Sequence, residues 1–189
     1  MKEIEILVEV YSPISKVINV LDKFEYLGIK EVVDTYYYDP LRKNLKPNSN
    51  NQINECLRLR KTDNNNFITY KTDEFDKNGR WLYSNEYETK IDDLSIAMNI
   101  LEKIGLKELI TIHNKKRAYK YKEYEIVLET VKDLGYFIEV EFCTDKDIDI
   151  KKKKEEIQNF IDSLCLDVSK ELNIGKPEMM LNKLNIKVN

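Results

Sequence analysis

The sequence predicts an α+β protein whose centre is a closed or nearly closed eight-stranded antiparallel β-barrel, with helices packed outside it. Three observations predict it. About eight β-like segments follow one another, most joined by short turns and only occasionally by a helix. Several of them alternate apolar and charged residues with a period of two, so each strand has a greasy face and an ionic face. Charges also recur as i, i+2 pairs on five separate strands, and each pair projects to a single face of its strand.

EIEILVEV (3–10) opens the chain as a strand, with Ile4, Ile6, Val8 and Val10 on one side and Glu3, Glu5, Leu7 and Glu9 on the other. SPISKVINVLDKFEYLG (12–28) follows as a helix. Ser12 suits its cap, Pro13 its first position and Gly28 its end, and Ile14, Val17, Val20, Leu21, Phe24 and Leu27 form its apolar stripe. EVVDTYYYD (31–39) is β-branched and aromatic, hence a strand. The polar, Asn-rich stretch 41–52 reads as a mobile connector. ECLRLRK (55–61) and FITYKT (67–72) are strands, and Asn78-Gly79 marks a hairpin into RWLYSNEYETKI (80–91). A second helix runs from Asp92 or Asp93 to Ile104 and stops at Gly105. Strands return in TIHNKKRAYKY (111–121), EYEIVLETV (123–131) and YFIEVEF (136–142). The Lys/Glu-rich segment from Ile150 is helical, and a short helix spans 177–186.

Length suits one domain over 1–189, with the barrel in about 1–170 and a helical tail in about 171–189. A net charge of −3 is too small to argue for nucleic acid or a membrane as partner. Three scattered cysteines, no CxxC motif and no apolar leader or spanning run point to a reducing cytoplasm, with the thiols as buried core fillers. His113 is the only histidine, which argues against a His-ligated zinc site or a Ser-His-Asp hydrolase. Trp81 and the tyrosines read as packing residues of the sheet, or as a tunnel mouth.

The doubled charges are Glu3/Glu5, Arg58/Arg60, Glu86/Glu88, Lys115/Arg117 and Glu139/Glu141. Two arrangements accommodate them: an ionic face in water, or an ionic face rolled inward as a lumen. A solvent face ordinarily mixes Ser, Thr, Gln and Lys, so doubled charges of both signs on five strands favour the lumen. Carboxylates enclosed there need cations, and with no histidine or thiolate beside them they suit hard ions, Mg²⁺ or Mn²⁺. Guanidinium and ammonium groups in the same space suit a polyphosphate.

Taken in order, EIEIL, DTYYYD, LRLR, TYK, EYE, KKR and LETVKDLGYFIEVE resemble the CYTH superfamily over about residues 1–170. These are the triphosphate tunnel metalloenzymes, among them class IV adenylyl cyclases, thiamine triphosphatases and inorganic triphosphatases. The resemblance implies that Glu3, Glu5, Glu129, Glu139 and Glu141 ligate metal. Glu129 has a longer arm than the aspartate common at that position. It further implies that Arg58, Arg60, Lys71, Lys115 and Arg117 grip a triphosphate, and that Glu86 and Glu88 form a supporting acidic pair. Lys71 and Tyr36 would stand near the scissile phosphate, although strand phase lets Tyr38 share the inner face with Tyr36. One metal would sit at Glu3, Glu5 and Glu141 and a second near Glu129 and Glu139.

Two positions depart from the pattern. Leu7 stands where the family's Glu-x-Glu-x-Lys signature has its lysine, and Asn85 stands where many relatives carry a base. The expectation is a metal-dependent enzyme that hydrolyses an organic or inorganic triphosphate such as a nucleotide, thiamine triphosphate or tripolyphosphate. The alternatives are a class IV adenylyl cyclase making cyclic AMP and pyrophosphate, and a binding homologue without turnover. A monomer and a homodimer fit the sequence equally.

Overall fold

A computed structural model describes residues 1–188. Among these residues the chain forms eight strands: β1 (Lys2–Glu9), β2 (Glu25–Tyr38), β3 (Glu55–Thr62), β4 (Asn66–Phe75), β5 (Trp81–Ile91), β6 (Lys107–Tyr121), β7 (Tyr124–Val131) and β8 (Gly135–Thr144). Four helices accompany them: α1 (Ile14–Leu21), α2 (Leu94–Lys103), α3 (Ile150–Ser163) and α4 (Lys176–Lys183). The strands close into one barrel in the order β1-β5-β4-β3-β2-β6-β7-β8, every pairing antiparallel. Closure leaves no edge strand with unpaired backbone groups. The seam between β1 and β5 is its thinnest join, paired only at Lys2–Asn85 and Glu3–Ser84, and α3 packs on both strands there.

The greasy faces point outward. Ile4, Ile6 and Val8 of β1, with Ile126, Ile138 and Val140, meet Val17 and Leu21 of α1 and Ile157 and Ile161 of α3 in the main core. On another side, Leu101 of α2 covers Tyr37 and Leu59. The α2 N-terminus is held by Asp93, whose carboxylate accepts from the Ile96 N–H at 3.0 Å. A third cluster lies at one end of the lumen. Inward residues Leu7, Tyr36, Ile110, Ile112, Val131 and Phe137 meet Met180 and Leu181 of α4, with Ile53 beside them. Each fully buried Leu or Met in that contact contributes about 1.5–3 kcal/mol, enough to seat a two-turn helix that would not form alone.

Four local expectations need correction. The first helix ends at Leu21 instead of continuing to Gly28, and β2 begins at Glu25. The fifteen-residue β6 offers a partner as far as Glu25–Lys120, and the ladder passes a bulge between Tyr26 and Gly28, where Gly28 has φ 127°. Ser12 does not cap α1; Pro13 takes that position, while the Ser12 hydroxyl accepts from the Asp167 N–H at 2.8 Å and ties down the chain after α3. Cys143 and Cys165 are exposed, so these two thiols are not core fillers, whereas the half-buried Cys56 does pack against the cluster at the lumen end. The 41–52 connector is also anchored, because the Asn51 side chain is buried and donates to Asn182 of α4 at 2.8 Å.

Candidate active site

The polar faces of the strands enclose a cavity of about 420 Å³. Its wall includes Glu3 and Glu5 from β1, Asp34 and Tyr36 from β2, Arg58 and Arg60 from β3, and Lys71 from β4. Glu86 and Glu88 of β5, Asn114 and Lys116 of β6, Glu125 of β7, and Glu139 and Glu141 of β8 add to it. Antiparallel register sets the neighbours: Glu5 lies opposite Glu141, Leu7 opposite Glu139, Lys71 opposite Glu86, and Arg60 opposite Asp34. Cross-strand partners share a face, so these groups meet inside.

Glu3, Glu5 and Glu141 bring carboxylate oxygens within 4.8 Å of one another. Lys71 ion-pairs with Glu3 and, at 2.5 Å, with Glu86. Glu5 and Glu141 have no ion-pair partner among the described residues. The electrostatics follow from that difference. Burial opposes ionisation of Glu3, but the Lys71 ammonium holds its carboxyl at about 2. Burial and the charges of Glu139 and Glu3 push Glu5 well above the ordinary carboxylate range, and burial with Glu3 pushes Glu141 up to about 7. Three converging oxygen donors, two of them short of positive charge, fit a hard divalent ion of the Mg²⁺ or Mn²⁺ kind.

The basic half of the wall is built on Asp34. Its carboxylate accepts two bonds from Arg60, at 2.7 and 2.9 Å, and lies 4.0 Å from Arg58. Burial opposes its charge, yet the two guanidiniums hold it far below the usual range. Arg58 also donates from Nε to the Thr69 hydroxyl at 3.3 Å and reaches Glu88 at 3.7 Å. Arg60 is thus paired closely with Asp34, while Arg58 stands between Asp34 and Glu88 at longer range, so both guanidiniums are held at the lumen wall. Beside them, burial and Asp34 drive the Tyr36 phenol well above its ordinary value, so it stays protonated and can donate. At the α4 end the charges are matched. Lys176 lies 2.5 Å from both Glu129 and Glu139, and Lys116 lies 2.6 Å from Glu129 and 3.9 Å from Glu139. Burial works against the Glu139 charge, but Lys176 and Lys116 hold its carboxyl well below the usual range.

Of the residues singled out from sequence, Glu3, Glu5, Tyr36, Arg58, Arg60, Lys71, Glu86, Glu88, Glu139 and Glu141 line this cavity. Tyr37 faces outward under α2, and Tyr38 is not among the lining residues. Lys115 and Arg117 are corrections, because both lie on the outside of β6. Lys115 is exposed, and Arg117 stacks over Tyr26 at 5.0 Å and approaches Asp22 at 3.8 Å. The phase of β6 is fixed by Ile110 and Ile112, which brings Asn114 and Lys116 inward instead. Glu129 is fully buried behind Lys116 and Lys176, where the sequence had suggested a second metal.

Sequence reasoning missed Asp34, Lys116, Lys176, the half-buried Asp73 and the buried Glu178. Asp34 and Lys116 carried a signal: Asp34 sits two residues before Tyr36, and Lys116 is in phase with Ile112. Lys176 had none, since only the fold returns the chain's C-terminal segment to the lumen.

Comparison with known proteins agrees with this geometry. Residues 1–176 match the family model of the CYTH domain. A Methanocaldococcus jannaschii protein named as a candidate adenylate cyclase is 30% identical over 186 residues, covering 97% of this chain and 100% of that one. Among solved structures, a Pyrococcus horikoshii protein superposes with a TM-score of 0.80 at 23% identity, covering 96% of this chain and 99% of its own. A Hippeastrum protein, described as a candidate adenylyl cyclase with a dominant triphosphatase activity, superposes with a TM-score of 0.65 at 15% identity, covering 100% and 98%.

Proposed function

The chain belongs to the CYTH domain family, whose members share a triphosphate tunnel, and from that premise we propose that it binds a small-molecule triphosphate with a divalent metal ion and hydrolyses it. The observation that supports this reading most is that a single cavity brings a carboxylate cluster short of positive charge together with a pair of guanidiniums held on the β3 wall by Asp34 and Glu88.

Glu3, Glu5 and Glu141 would hold the metal, which supplies a Lewis acid and charge neutralisation to phosphate oxygens. Arg58 and Arg60 take the phosphate chain; their guanidinium forks match pairs of phosphate oxygens and Asp34 keeps both oriented. Lys71, held between Glu3 and Glu86, donates to the phosphate nearest the cluster, and Lys116 neutralises the chain from β6. Water attacks the terminal phosphorus in line and passes a proton to an oxygen of the orthophosphate that forms, while the bond to the bridging oxygen breaks and that oxygen leaves with the rest of the chain. Tyr36, kept neutral by burial, donates a hydrogen bond to the charge that develops there. Phosphoryl transfer asks mainly for such positioning and neutralisation, and this wall is built for both.

The second reading is cyclisation of ATP, which the name of the Methanocaldococcus jannaschii relative favours. Hydrolysis takes precedence because it asks only for water and a triphosphate, whereas cyclisation also needs the ribose 3′-hydroxyl presented to the α-phosphorus. The triphosphatase activity described for the Hippeastrum protein supports the same order. The decisive experiment incubates the purified chain with ATP, thiamine triphosphate or tripolyphosphate, with Mg²⁺ and with Mn²⁺, and follows orthophosphate, pyrophosphate and cyclic AMP. Orthophosphate release that stops on chelation is expected. Cyclic AMP with pyrophosphate would overturn hydrolysis in favour of cyclisation, and tight binding without any product would overturn both.

A further inference from the structure

The two acidic groups of the lumen are compensated differently, and the difference comes from α4. Among the described residues, Glu5 and Glu141 face no ammonium closely enough to form an ion pair, and Glu3 shares Lys71 with Glu86. Glu129 and Glu139, in contrast, are matched by Lys116 and Lys176. Each oxygen of Glu129 has its own ammonium, at 2.6 Å from Lys116 and 2.5 Å from Lys176. Lys176 stands where its Nζ bridges the two carboxylates, at 2.5 Å from each. A divalent ion bridging the same oxygens would have to occupy that point.

The placement is enforced by packing. Lys176 is the first residue of α4, and α4 is seated by Met180 and Leu181 against Leu7, Ile53 and Phe137. The Leu172 N–H donates to the Leu7 carbonyl at 3.0 Å, which anchors the approach to the helix. Leu7 is also the cross-strand partner of Glu139. An apolar residue at position 7 therefore does two things: it gives α4 a surface to sit on, and it leaves Glu139 open to a cation arriving from α4.

We infer that Lys176 is a built-in cation that takes the place of a second divalent ion between Glu129 and Glu139, so that the tunnel holds a single metal at Glu3, Glu5 and Glu141. The inference rests on the reading that the tunnel takes a divalent ion at all.

Titration of the full chain with Mn²⁺, followed by loss of the free-ion electron paramagnetic resonance signal and by calorimetry, tests it without turnover. The wild type is expected to bind one tight Mn²⁺ per chain, lost in Glu5→Gln. Lys176→Met is expected to bind a second, which the added change Glu139→Gln removes again. Lys176→Arg, which keeps the charge and serves as the control should Lys176→Met not fold, is expected to stay at one. Two tight ions in the wild type, one of them lost in Glu139→Gln, would overturn the inference alone, as would a folded Lys176→Met that still binds one. A wild type that binds no Mn²⁺ would bring down the metal reading itself, and the inference with it.

Discussion

Replacing Leu7 by lysine tests whether α4 is seated by an apolar contact that the family's signature lysine would break. Leu7 is 3% exposed and packs with Met180, Leu181 and Ile53. Exchanging a buried leucine for a chain that ends in an ammonium forfeits most of its transfer free energy, about 1.5–3 kcal/mol, although the methylene stem retains part of the contact. The new ammonium arrives opposite Glu139, whose charge Lys176 and Lys116 already meet, so its cross-strand carboxylate repays little of its desolvation. A net loss of about 2–3 kcal/mol follows, and in a domain of this size each kcal/mol lowers Tm by about 2–4 °C. Thermal unfolding followed by circular dichroism should therefore fall by about 5–10 °C for Leu7→Lys. The pair Leu7→Lys with Lys176→Met should recover about 1 kcal/mol of that loss, since one ammonium then remains where there would have been two. A Tm equal to that of the wild type would refute the packing argument. A double variant no more stable than Leu7→Lys would refute the claim that the two positions compete for Glu139.

Three further outcomes follow from the same charge map. Glu5→Gln removes a carboxylate whose ionisation burial, Glu139 and Glu3 all oppose, so it should lower metal-dependent phosphate release at least ~100-fold while leaving Tm unchanged or higher; a fall in both would mean that Glu5 is structural. Lys116→Met should raise KM for the triphosphate at least ~10-fold, whereas Lys115→Met should leave it unchanged; equal effects would contradict the phase of β6. Asp73 is pushed up to about 6 by burial, with Ser84 donating to it at 2.7 Å. Its folded value lies above its unfolded one, so it favours the folded state while protonated. That contribution is present below pH 4 and is lost as pH rises through 6, by about 2–3 kcal/mol at most. Asp73→Asn should flatten this decline in urea midpoints between pH 4 and 7, and an unchanged slope would assign it to other groups.

Most of the barrel was legible because its strands alternate so cleanly that the period of two survives without any tertiary information. The errors mark where a local pattern was consistent with two phases or two structures. In KKR, three consecutive bases let the i, i+2 rule select Lys115 and Arg117, and only the run Ile110, Ile112, Asn114 shows that Lys116 is the inner one. In KFEYLG, Phe24 and Leu27 continue a helical stripe, but the available partner strand β6 wins, because paired backbone and cross-strand packing outweigh a weak local preference.

The lumen's charge balance was out of reach for a different reason. It depends on Lys176, which lies 37 residues from Glu139 and 47 from Glu129 and meets them only because α4 returns to the barrel. Read strand by strand, Leu7 is a missing cation and a reason to doubt the site. With α4 in place it becomes the contact that delivers a cation from elsewhere in the chain. Loss of a signature residue is therefore weak grounds for declaring a lumen inactive until every segment that enters it has been counted. In this chain the added segment matches the charges at Glu129 and Glu139 and leaves the shortage of positive charge at Glu5 and Glu141, the carboxylates proposed to hold the metal.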